Sequence, residues 1–259
     1  MSGNALSALL ERKDGRITIA GTPFDVLHES DVLDILRERK ADLPFEYIAT
    51  PNVDHVVRTQ RLGCRDLYDD AWMSLCDSRV LATLALLLNV RFPSVIPGSD
   101  LTVKIFTDFL RDGDHVTIVG CDPENMRILR EKYPNLVIHH HNPPMGFVSK
   151  PDAVRAAVDF VLQHPSRFVF LAVGSPQQEI LARAIKKAGG VGLGLCIGAS
   201  ILFLTGGEKR APKWVQAIGF EWTFRLLNNP GRLWKRYLVQ NPVIFFLVFK
   251  QMLTKGSGE

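Results

Sequence analysis

The stretch that most constrains this chain is His115–Ile197, where short apolar runs alternate with segments of helical pattern. His115–Gly120 (HVTIVG), Val137–His141, Phe168–Val173 (FVFLAV) and Val191–Ile197 read as strands. Pro123–Tyr133, Asp152–Gln163 and Gln177–Ala188 read as the helices between them. Strands separated by helices of about ten residues demand crossover connections, and so a parallel sheet. FVFLAV has no polar face, as expected for a strand covered on both sides. The predicted fold class is α/β, a Rossmann-like parallel sheet core flanked by helices.

The preceding half continues the theme. Arg16–Leu27 reads as a strand or hairpin, and Asp31–Lys40 as an amphipathic helix with Ser30 as its N-cap. Phe45–Ala49 is a strand running into Thr50-Pro51-Asn52, and a helix follows over Val53–Leu62. Trp72–Cys76 is a strand closed by Asp77-Ser78. Val80–Asn89 is apolar nearly all round, which predicts a buried helix. Pro97-Gly98-Ser99-Asp100 opens a helix that runs to about Arg111. The four cysteines form no CxxC pair and suggest no disulfide framework.

Charge divides the chain. Residues 208–259 carry nine Lys or Arg against three Glu, a net +6, and hold three of the four tryptophans. The other 207 residues carry 22 Lys or Arg and 24 Asp or Glu, a net −2. The expected division is a catalytic core at 1–207 and a basic, aromatic-rich helical appendage at 208–259. Cations mixed with Trp, Phe and Tyr suit a membrane interface, which is the favoured reading. Plain packing of a C-terminal helix pair and nucleic-acid binding are the alternatives. The apolar run Val243–Leu253 is too short to cross a bilayer. No signal peptide pattern opens the chain. The expected location is cytoplasmic, peripheral on the inner face of the cell membrane.

In open α/β sheets, ligands bind beyond the carboxyl ends of the strands. Gly174-Ser175-Pro176-Gln177-Gln178-Glu179 follows a strand and opens a helix, so its free N–H groups suit an anion. It also reads as a plain turn capped by Ser175. Gly120-Cys121-Asp122-Pro123 is a similar, weaker case. Neither GxGxxG nor GxxxxGK[ST] occurs. Asp77, between an apolar strand and an apolar helix, is either a general base with a raised pKa or an N-cap. Asp54 and His55 lie just inside a helix start, where an acid favours the dipole. His139-His140-His141 alternate faces on a strand, so at most two share a site, and no metal site is expected.

Six blocks in order then carry a resemblance: TPN at Thr50–Asn52, the Asp77 turn, PGSDL at Pro97–Leu101, PPMGF at Pro143–Phe147, GSPQQE at Gly174–Glu179, and a KRAPKW…EW…RLL…RLWKRYLVQNP tail. From Ile17 to about Leu253 the chain resembles the WecG/TagA/CpsF glycosyltransferases (glycosyltransferase family 26). The resemblance implies inverting, metal-independent transfer of a sugar from a UDP-sugar to a polyprenyl-diphosphate-linked saccharide at the membrane surface, with no cofactor. It implies Asp77 as the base. It implies donor or acceptor contacts at Thr50, Asn52 and Gln178, and the assignment extends to Gly120, Pro143, Gly174, Ser175, Gly198 and Ser200. Arg210, Arg225, Arg232 and Arg236 are the implied diphosphate and membrane contacts. A homo-oligomer is compatible with this reading, and a nucleic-acid partner is not expected. The family's usual Asp-Gly is Asp77-Ser78 here, and its Arg before PGSDL is replaced within Ser94-Val95-Ile96. These departures point toward an exopolysaccharide-pathway member with a sugar other than N-acetylmannosamine. The competing readings are a Rossmann-type oxidoreductase, which lacks its glycine fingerprint here, and a non-catalytic nucleotide-binding module at a membrane, which gives Asp77 no role.

Overall fold

A computed structural model describes residues 16–208, 210–212, 215 and 220–256, without the side chains of Arg232 and Lys255. Along the chain run β1 (Ile17–Ile19), β2 (Thr22–Phe24), α1 (Glu29–Glu38), β3 (Glu46–Ala49), α2 (Val53–Leu62), α3 (Asp66–Asp69), β4 (Met73–Ser74) and α4 (Arg79–Ala85). There follow α5 (Gly98–Lys104), β5 (His115–Gly120), α6 (Pro123–Lys132), β6 (Val137–His141), α7 (Pro151–Gln163), β7 (Phe168–Ala172), α8 (Gln177–Lys187), β8 (Leu193–Cys196) and α9 (Ile201–Thr205). The C-terminal helices are α10 (Glu221–Asn228), α11 (Pro230–Trp234), continued as a π-helical turn over Lys235–Gln240, and α12 (Val243–Gly256).

Six strands pair in parallel in the order β4-β3-β8-β7-β5-β6, while β1 and β2 form a separate antiparallel hairpin. The apolar run of β7 is buried on both faces because successive side chains alternate. Phe168 and Phe170 join a core with α1, α5 and α6, through Ile35, Leu101 and Leu129 among others. Val169 and Leu171 join the opposite core, with Val161 of α7 and Leu181 and Ile185 of α8. Each such side chain contributes about 1.5–3 kcal/mol on burial. Phe170→Ala would open a cavity at the sheet centre at a cost of about 3–5 kcal/mol.

Two local expectations are corrected. The first helix starts at Glu29, not after Ser30, and its N-cap residue His28 makes no side-chain cap. The Glu29 N–H instead donates to Ser94 Oγ at 3.1 Å, a cap supplied from a distant segment. The Val80–Asn89 segment is not wholly buried. Its α-helix ends at Ala85, a 3₁₀ turn covers Leu86–Leu88, and Asn89 turns left-handed at φ 59°. Leu81, Leu84, Ala85 and Leu88 face the core, whereas Leu86 and Leu87 are 53% and 57% exposed. One helix has one face to bury against the core, however apolar its other faces are.

The tail packs on the core as well as facing outward. Ile244 and Val248 of α12 complete a third cluster with Phe24, Val56, Leu81 and Leu88. The Gln251 side chain pairs with the hairpin, accepting from Ala20 N at 2.6 Å and donating to Thr18 O at 2.7 Å. Phe245, Phe246, Phe249 and Leu253 of the same helix are exposed. Among the described residues no helix is long and apolar enough to cross a membrane.

Candidate active site

Two cavities, each about 390 Å³, lie between the carboxyl ends of the strands and the C-terminal helices. Both are lined by Asn52, Asp77, Arg225, Arg236 and Tyr237, so they meet there. The first is the more apolar of the two, with Val53, Val80, Trp222, Leu238, Ile244 and Phe245 in its wall beside Ser78, Arg79, Glu221 and Asn241. The second is walled by polar groups that follow β3, β7 and β8, Thr50, Gly174, Ser175, Gln178, Gly198 and Ser200, and by Ser99 at the start of α5.

Sheet order explains this gathering. Strands β3, β8 and β7 are consecutive neighbours and β4 flanks β3, so their outgoing turns converge. Strands β5 and β6 lie toward the other edge, and neither Gly120 nor Pro143 lines either of these two cavities. Gly120 is needed for packing: at φ +95°, an added Cβ would come within 2.7 Å of the Ala172 backbone.

Local rules place each group. Asn52 is the N-cap of α2, its Oδ1 accepting from the N–H of Asp54 and His55. His55 closes the capping box by accepting from Asn52 N at its Nδ1. Burial pushes the His55 pKa down to about 3, so the ring is neutral, as that accepting role requires. Thr50 fits against Gly98 so closely that a Cβ there would lie 2.6 Å from its Oγ1, a steric reason for glycine in the PGSD block. Gln178 accepts from Gly198 N at 2.8 Å and donates to buried Glu179 at 2.8 Å, joining the turns after β7 and β8. Ser200 Oγ donates to Ile197 O at 2.6 Å within the turn it lines. No side chain caps α8, whose N-cap position is Pro176. The N-cap of α4 is Ser78, which accepts from Leu81 N. That leaves Asp77 free of the capping role.

Asp77 stands where the cavities meet. Burial pushes its pKa up to about 7, while Arg225 pulls it down and Glu221 pushes it up. Arg225 pairs with Glu221 at 2.8 Å, and although burial opposes its charge, Glu221 and Asp77 hold its pKa above the ordinary value. Arg236 reaches Asp54 at 3.3 Å and Asn52 Oδ1 at 3.5 Å. Arg210 is placed differently: it pairs with Asp100, donates to Ser99 Oγ at 3.2 Å and lines neither cavity. Arg210 and Arg225 both lie over the Phe203 ring, at 5.5 and 5.2 Å from its centroid. The Arg232 side chain is outside the described residues. Among the described residues no three His, Cys, Asp or Glu side chains are grouped to hold a metal ion. Of the three consecutive histidines, His140 Nε2 lies 2.9 Å from Gly120 O, and His139 Nε2 lies 3.1 Å from His115 Nδ1.

The family described as the glycosyl transferase WecG/TagA/CpsF family matches residues 17–258. This chain belongs to that family. It is therefore a glycosyltransferase, which decides against both an oxidoreductase and a non-catalytic module. Sequence reasoning about this WecG/TagA/CpsF chain passed over several cavity residues. Arg58, Glu221, Trp222 and Tyr237 line the cleft without having been singled out as site residues. One signal was available, because Asp54–Arg58 and Glu221–Arg225 are both i,i+4 acid–base pairs.

Proposed function

We propose that the protein transfers a sugar, with inversion, from a nucleoside diphosphate sugar (UDP as the nucleotide) to a saccharide on a polyprenyl diphosphate, at the cytoplasmic membrane face. The observation that carries this reading is the meeting of a polar and an apolar cavity at one carboxylate, Asp77. The polar cavity suits the donor. The turn before α8 has no side-chain cap and opens onto this cavity, where the helix dipole favours a diphosphate, and Arg225 and Arg236 supply cationic donors. The apolar cavity suits a lipid-linked acceptor, with Trp222 and Tyr237 as ring faces and Leu238 and Phe245 toward its lipid end.

In the proposed step, Asp77 takes the proton from an acceptor hydroxyl as that oxygen bonds to the anomeric carbon. The bond from that carbon to the diphosphate oxygen breaks on the opposite face. A base with a pKa near the working pH is efficient in both proton uptake and release. Negative charge growing on the diphosphate is met by the guanidinium groups and the helix dipole. We assign no metal to this chemistry, and transfer is expected to persist in excess EDTA.

The division into a core at 1–207 and an appendage at 208–259 belongs to the same proposal, with the appendage both closing the site and resting on the membrane. Phe245, Phe246 and Phe249 present an exposed apolar face on the helix that also carries exposed Lys250, a combination that suits an anionic bilayer surface. Phe246→Glu with Phe249→Glu should abolish binding to anionic vesicles while leaving the buried Ile244 and Val248 in place. The departures at Ser78 and Val95 support an exopolysaccharide-type donor sugar over N-acetylmannosamine. The decisive experiment is a panel of UDP- and GDP-sugars with a short lipid-linked acceptor, read by mass spectrometry. Mass gain by one hexose or uronic acid supports the reading, and no product from any donor refutes it.

A further inference from the structure

Asp54 sits in the first turn of α2, and its carboxylate is buried. One of its oxygens, Oδ2, takes two guanidinium groups: Arg58 Nη2 at 2.5 Å and Arg236 Nη2 at 3.3 Å. Each arginine leads to a different wall of the polar cavity. Arg58 Nη1 donates to the Ser175 carbonyl in the turn after β7. Arg236 belongs to the π-helical turn of the C-terminal segment and also reaches the α2 cap, Asn52. Its Nε is buried without a partner, so the guanidinium is held by one edge and is not fully satisfied. Neighbouring His55 is neutral and contributes no charge.

Burying a carboxylate is costly, and a buried ion pair seldom outdoes an apolar replacement in stability. Asp54 therefore calls for a role other than stability, and the geometry provides one. We infer that Asp54 is a positioning residue that fastens both walls of the donor cavity to one charge: the β7 turn through Arg58 and the C-terminal segment through Arg236. The cationic side of the cavity is then complete only while the C-terminal segment is docked. This inference rests on the donor-site reading of that cavity.

The test uses the full chain with Asp54→Asn, Asp54→Glu, Arg236→Gln and the Asp54→Asn/Arg236→Gln double variant. Hydrogen exchange should speed up over residues 235–241 and 174–178 in Asp54→Asn, with the central strands unchanged. The kcat/KM for the nucleotide sugar should fall about 10- to 100-fold, the scale of a lost hydrogen bond to a charged group, and mainly through KM. Asp54→Glu should recover most of that loss. The double variant should lose less than the two single losses combined, because both substitutions remove the Asp54–Arg236 contact. Additive losses, or unchanged exchange over 235–241, would overturn the inference. So would a uniform rise in exchange with no recovery in Asp54→Glu, the mark of a merely structural role. If no nucleotide sugar is turned over at all, the functional reading fails, and the exchange measurement still decides the role of Asp54.

Discussion

Two turns of nearly the same grammar have opposite fates. Gly120-Cys121-Asp122-Pro123 leaves β5 and Gly174-Ser175-Pro176-Gln177 leaves β7, each a glycine-led passage from strand to helix. In the first, Asp122 caps its own helix, accepting from Asn125 N at 3.0 Å and Asn125 Nδ2 at 2.7 Å. Gly120 is pressed against the Ala172 backbone. In the second, no side chain caps the helix, and an added Cβ at Gly174 would meet nothing within 4 Å. The first turn is filled by its own side chains, and the second is open toward a cavity. A glycine-led helix start is thus a candidate anion site only when no side chain fills it and the sheet order gives it room.

The largest expected effect tests what the open turn serves. Asp77→Asn should leave donor binding nearly intact and lower kcat by about 10²–10⁴ if it is the general base. Full turnover in this variant would break the link between the cavity and transfer chemistry. Next comes the contrast between the glycines. Gly120→Ala combines a left-handed Cβ penalty with a backbone clash and should cost about 2–4 kcal/mol, read as a lower Tm. Gly174→Ala, with the same sign of φ but open space, should cost about 1–2 kcal/mol in stability and raise the donor KM. Equal Tm losses would erase the difference between the turns. Asp122→Ala should cost about 1 kcal/mol through its lost cap, with the donor KM unchanged.

The smallest effect is in pH. Asp77 must be ionised to accept a proton, so kcat/KM should rise with pH through about 7 and level off above it. Glu221 pushes that pKa up, so Glu221→Gln should move the rising limb to lower pH. A shift to higher pH would show that Glu221 acts on Asp77 chiefly through Arg225, with which it pairs.

The elements were legible because strand and helix periodicity is local. HVTIVG at 115–120 and the helix at 53–62 coincide with their structural bounds, and both cores of β7 follow from its unbroken apolar run. At α1 the expectation failed because a distant partner intervened, the Ser94 hydroxyl that caps it. The candidate site was legible in part. Thr50, Asn52, Asp77, Gly174, Ser175, Gln178, Gly198 and Ser200 are gathered at one cleft, whereas Gly120 and Pro143 are not. Asp54 was visible only as a helix-start acid.

The sequence by itself determined the strand and helix alternation, the turns that carry polar groups, and the charge imbalance of the tail. All of these depend on interactions within a few residues or on composition. Tertiary structure alone decided which turns share a cleft, that Ser78 and not Asp77 caps α4, and that Arg236 closes on Asp54 across 182 positions of chain. Strand order and helix docking are set by which apolar faces fit together. Side chains far apart in sequence acquire their partners, and Asp77 its raised pKa, only after that packing has excluded water.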